Sequence, residues 1–141
     1  MAFNIMDQFP RNFNIEKSQQ EEYNELQEEG VFEETSHLDV FLMALALGWE
    51  NDMRDSLDDS YPLVNTQSMS DRQVWMVASI AIKEEGVSVL NDLTQVRKIA
   101  DEYANGGFTL LLDKLQQGQP GSELKRIQSE LMEKFEDDKK N

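Results

Sequence analysis

Four aspartates, Asp52, Asp55, Asp58 and Asp59, fall within one short segment and offer enough oxygen for a divalent cation. An EF-hand needs ligands at alternating positions, a central glycine and a closing glutamate. The segment has the wrong spacing and no glycine, so a solvated charge cluster is the simpler reading. His37 is the single histidine, and cysteine is absent. A zinc site built from several His and Cys ligands therefore cannot form. His37 sits beside a helix-capping serine, where a structural role is expected. No nucleophile elbow is present, and Gly106-Gly107 lacks the further glycines and the lysine of a phosphate-binding loop. With 28 acidic residues, neighbouring carboxylates are common by chance. Nothing marks a pair as desolvated, the condition that would tune one for acid–base work. The expectation is no catalytic residue, no metal and no cofactor.

Charge carries more information. Residues 1–60 hold fifteen Asp and Glu against three basic residues, a net of −12, whereas residues 61–141 hold thirteen against ten, a net of −3. Such a field repels phosphate backbones and attracts basic surfaces. The densest run, Glu16 to Glu34, has eight glutamates and one lysine. Glu21, Glu22, Glu25, Glu28 and Glu29 are the candidate contacts with a basic protein partner. The same row, extended by Glu33 and Glu34, could imitate a phosphate backbone. The opposite possibility, direct DNA binding, would use Arg97, Lys98, Lys125 and Arg126, but duplex binding needs several phosphate contacts and the acidic half opposes it.

The elements that would position these groups read as helices. Residues 1–15 are apolar around Pro10 and are expected to dock on the chain's own core, since short apolar segments seldom stay exposed. A glutamate-rich helix follows, opposed by like charges four residues apart, pinned by Tyr23, Leu26, Val31 and Phe32, and ended by Gly30. Ser36 with Asp39 approximates a capping box. From Leu38 to Leu47 only Asp39 is polar, so this helix is buried all round, with Gly48 as its left-handed terminator. Residues 49–68 form the main loop, with Leu63 and Val64 extended at most. Ser70 with Gln73 caps the next helix, which runs to Glu85. Asp92 with Gln95 caps another, which Asn105-Gly106-Gly107 should stop or turn sharply. Phe108 to Gln117 and a stretch opened by Ser122 complete an all-α fold, a compact bundle of five to six helices around a buried central helix. The expected organisation is an acidic arm and helix over 1–34, a helical core over 35–136 and a frayed tail over 137–141. With a longest apolar run of Val40 to Leu47 and no basic leader, a cytoplasmic protein is expected.

Three segments, DVFLMALALGW (Asp39 to Trp49), VASIAI (Val77 to Ile82) and DEYANGGFTLL (Asp101 to Leu111), resemble in order and spacing the small accessory proteins encoded with DNA phosphorothioation (Dnd-type) modification and restriction systems. The likeness covers roughly residues 35–115 and is sharpest at Tyr103, Asn105, Gly106 and Gly107; the acidic N-terminal segment and the final helix lie outside it. It implies a fold and a genomic setting, not a catalytic residue. Glu50-Asn51-Asp52-Met53-Arg54 holds two acids to one base where the group often carries basic residues, which argues against a DNA-contacting loop. The resulting expectation is a non-enzymatic, protein-binding component of a phosphorothioation-linked modification or defence system, acting on a basic surface of a larger DNA-handling protein. A DNA-binding regulatory module, an anti-restriction mimic and a self-associating helical protein are the alternatives.

Overall fold

The computed structural model describes residues 8–28 and 36–117. Strand β1 (Asn12–Glu16) leads through a 3-10 turn (Lys17–Gln19) into α1 (Gln20–Glu28). Helix α2 (His37–Glu50), strand β2 (Ser60–Asn65) and helix α3 (Asp71–Glu85) follow. A 3-10 turn (Val87–Asn91) then precedes α4 (Leu93–Gln117).

The expected all-α bundle of five to six helices is therefore corrected to four α-helices and a two-stranded antiparallel sheet among the described residues. Two misreadings account for the difference. Phe13 and Ile15 point inward with polar neighbours between them, the period-two pattern of a half-buried strand. Their partner β2 lies more than forty residues away, with Phe13 opposite Val64 and Ile15 opposite Tyr61. Two steps on β1 thus match three on β2. The extra residue falls at Pro62-Leu63, and a proline without an N–H favours such a bulge. The second misreading is Asn105-Gly106-Gly107, which neither stops nor turns its helix; α4 runs unbroken from Leu93 to Gln117.

The caps follow local chemistry. Ser36 and Asp39 form a reciprocal box at the start of α2, and Ser70 and Gln73 another at the start of α3. Gly86, at φ 88°, closes α3 with a backbone few other residues adopt. Gly48 is not the terminator of α2. The helix continues to Glu50, and the left-handed residue is Asp52 at φ 56°.

Helix α2 is buried from Leu38 to Gly48 apart from a half-buried Asp39, and α4 crosses it. The sheet lies over both. Phe13, fully buried, stacks on Phe41 of α2 at 4.3 Å between ring centroids and meets Phe9 edge-on at 5.7 Å. Tyr23 of α1 stacks on Phe108 of α4 at 4.5 Å. The N-terminal segment from Phe9 onward is thus docked on the chain's own core, in the same apolar cluster as α2 and α4. The break expected at Gly30, the pinning residues Val31 and Phe32, and the last helix from Ser122 lie outside the described residues.

Candidate functional site

Residues 101–107, the segment with the sharpest resemblance, form the junction of the molecule. Helix α4 is buried there at every residue except the half-buried Asn105, so the buried polar side chains need partners. Asp101 accepts the backbone N–H of Asn14 in β1 at 3.0 Å. Glu102 accepts from Arg54 Nε at 2.7 Å. The Tyr103 hydroxyl donates to Glu84 at the end of α3, and the Arg54 guanidinium lies over the Tyr103 ring. Asn105 donates to the carbonyls of Asp55 and Ser56 at 3.2 and 3.3 Å and accepts from Gln19 at 2.9 Å.

The glycines serve proximity. A Cβ on Gly107 would fall inside the Ala44 carbonyl oxygen and 2.5 Å from the Gly48 amide nitrogen. One on Gly48 would strike the Tyr103 carbonyl, and one on Gly106 the Met53 carbonyl, whose carbon is 2.7 Å away. Gly48 and Gly107 are thus the facing surfaces of a helix crossing that no side chain fits between.

The electrostatics follow from burial. Burial first, then the bond and charge of Glu84, push the Tyr103 hydroxyl up to about 12, with Arg54 opposing. Burial works against charge on Arg54, yet the hydrogen bond and charge of Glu102 leave its pKa raised. Burial lowers His37 below its ordinary value. The His37 ring abuts Tyr23 at 6.2 Å, in keeping with a packing role. Asn105→Ala removes three hydrogen bonds and is expected to cost about 2 kcal/mol. Hydrogen exchange should localise the loosening to residues 53–57, and unchanged protection there would contradict the bonding described.

The carboxylates singled out for partner binding sit apart from this junction. Glu21, Glu22 and Glu25 are exposed on α1, and no described basic residue pairs with them. Glu28 occupies the last position of α1, its side chain outside the described part, and Glu29 lies outside the described residues. The acidic loop is fastened close to the start of α1. The Glu16 carboxylate accepts the amides of Asp58 and Asp59 at 2.9 and 3.0 Å, and Lys17 N–H donates to the Asp59 carbonyl at 2.8 Å. Of the basic residues proposed for DNA contact, Lys98 is exposed. Arg97 is partly engaged, its Nε 3.9 Å from Asp101 Oδ2. Lys125 and Arg126 lie outside the described residues.

Comparison with family models gives a match over residues 13–141, to DNA sulphur modification system-associated protein 4. The chain belongs to this family. The match extends beyond the span expected from the three segments. It takes in β1 from Phe13, α1 with its glutamates and the stretch after α4, so the acidic segment lies inside the matched region. Comparisons with curated proteins and with solved structures return no match. As a member of a system-associated family, the chain is linked to DNA sulphur modification. Among the described residues, no group of three or more His, Asp or Glu side chains is arranged to hold a metal ion, and no helix is long and apolar enough to cross a membrane.

Sequence reasoning missed Arg54, Glu84, Glu102 and Asp101 as a set. A readable signal existed for one of them. Asp101 follows Arg97 by four residues, the spacing of an ion pair along one helix face.

Proposed function

We propose that the protein is a non-enzymatic accessory component of a phosphorothioation-linked system, docking on a basic surface of a larger DNA-handling protein. The observation that carries this reading is the exposed row Glu21, Glu22 and Glu25, without described basic partners, on a helix fixed to the core by Tyr23. Charges left unpaired on a positioned element suit electrostatic steering toward a partner of opposite sign. Glu28 and Glu29 continue the glutamate run in the sequence. The junction at residues 101–107 supports the reading from the other side, because its polar groups are used in holding β1, the 3-10 turn before α1, the acidic loop and α3 together.

Direct DNA binding is weakened by Arg97, whose guanidinium is turned toward Asp101. The test is association of the full chain with the DNA-handling proteins of its own system, beside a gel shift with phosphorothioated and unmodified duplex. Association with a protein and no shift of either duplex is expected. Shifted duplex without protein association overturns the proposal in favour of a DNA-binding module. Displacement of DNA from a nuclease, without lasting complex formation in the modification system, overturns it in favour of a mimic.

A further inference from the structure

Among the described residues, two large apolar side chains stay exposed, Val87 and Trp75, the latter at 42%. Trp75 does not stand alone on α3. Ser79 and Ile82, four and seven residues on, share its helix face and are half-buried. The Ser79 hydroxyl is used within the helix, donating to the Trp75 carbonyl at 2.6 Å. Val74, Met76, Val77, Ala78, Ile80 and Ala81 are buried in the core, so this face is the one α3 turns outward. Arg72 and Lys83 border it on one flank and Asp71 and Glu85 on the other, all of them exposed. The Lys83 ammonium also lies over the Trp49 ring, 4.9 Å from its centroid.

Residues 118–141, beyond the described part of the chain, begin where α4 ends and lie inside the family match. Leu124, Ile127, Leu131 and Phe135 recur at the spacing of one helix face. Glu123, Glu130 and Asp137 follow one flank of that stripe and Lys125 the other. A helix of this length is marginal alone in water, so the stripe needs an apolar face to cover.

We infer that residues 122–135 pack as a helix against the Trp75 face of α3, running parallel to it, with Leu124, Ile127, Leu131 and Phe135 covering Trp75 and Ile82. In that direction Glu123, Glu130 and Asp137 face Arg72 and Lys83, and Lys125 faces Asp71 and Glu85. The antiparallel direction would set acids against acids. The occupant is the chain's own segment and not that of a second copy, because the short link from Gly118 to Gly121 holds it beside the domain at a high effective concentration. The helix spans about 21 Å and the link about 13 Å. Together they reach across a domain of 141 residues, whose radius of gyration is about 14 Å.

Amide exchange and proton–proton NOEs on the full chain test the packing. In the wild type, residues 122–135 should be protected about tenfold or more over an unstructured chain, and the Trp75 ring should give NOEs to the methyls of Ile127 or Leu131. Trp75→Ala and Leu131→Asp should each lower that protection about tenfold while α2 keeps its own. The double variant should lose no more than the weaker of the two singles retains. A segment that exchanges like an unstructured chain overturns the inference. So does protection that survives Trp75→Ala, or that rises with protein concentration, which places the segment on a second copy. Should Trp75→Ala also unsettle α2, the wild-type NOEs decide.

Discussion

Gly107→Ala is expected to lower stability by about 3 kcal/mol, or to drop the Tm by roughly 10 °C. The expected sign is not the one helix propensity gives. In an exposed helix interior, alanine is about 1 kcal/mol better than glycine. Here the added Cβ meets backbone on the facing helix, the Ala44 carbonyl and the Gly48 amide. Backbone cannot rotate away as a side chain tip can. Helices α2 and α4 would have to move apart, opening a close-packed interface along its length. Gly48→Ala should behave alike, since its Cβ meets the Tyr103 carbonyl. Gly106→Ala should cost less, because its obstacle, Met53, is on a loop that can retreat. Urea midpoints of the three variants give the order, and a stabilised Gly107→Ala would refute the crossing.

Tyr23→Ala is expected to cost about 3 to 5 kcal/mol and to confine the loss to α1. Among the described side chains of α1, Tyr23 is the buried one and Leu26 is half-buried. A nine-residue helix rich in like charges does not persist unaided in water. Without its stack on Phe108, α1 should melt while α2, α3 and α4 stay folded. Exchange over residues 20–26 should then approach that of an unstructured chain. Because the glutamates would lose their fixed spacing, partner affinity should fall as well. Tyr23→Phe separates packing from the hydroxyl. That hydroxyl is buried without a partner, so its removal should leave stability unchanged or raise it by about 1 kcal/mol. A Tyr23→Phe variant as damaged as Tyr23→Ala would contradict the stacking account.

Legibility in the sequence divides by distance along the chain. The Ser36–Asp39 and Ser70–Gln73 boxes depend on residues three apart, and both are present as read. The buried span from Leu38 is legible because its apolar residues leave no polar face. The glycines are a different matter. A glycine at a turn and a glycine at a helix crossing look alike in sequence, and only the opposing backbone distinguishes them. Gly48 and Gly107 explain each other, but nothing local connects them. The strands fail for the same reason. NFNIE alternates visibly, yet a strand is stable only with a partner, and SYPLVN is interrupted by Pro62. The site repeats the pattern. The glutamate row is visible as composition, while Arg54 with Glu102, or Asn14 with Asp101, are pairings that only the fold creates. The family match over residues 13–141 spans both the glutamate row and the glycine crossing.

The docking proposal meets its most direct test in a salt series. Affinity for the DNA-handling partner would be measured for the wild type and for a variant carrying Glu21→Lys, Glu22→Lys and Glu25→Lys, from low to high ionic strength. The wild type should weaken steeply as salt rises. The variant should start about a hundredfold weaker at low salt and change little thereafter. Equal affinities with equal salt slopes would contradict the account.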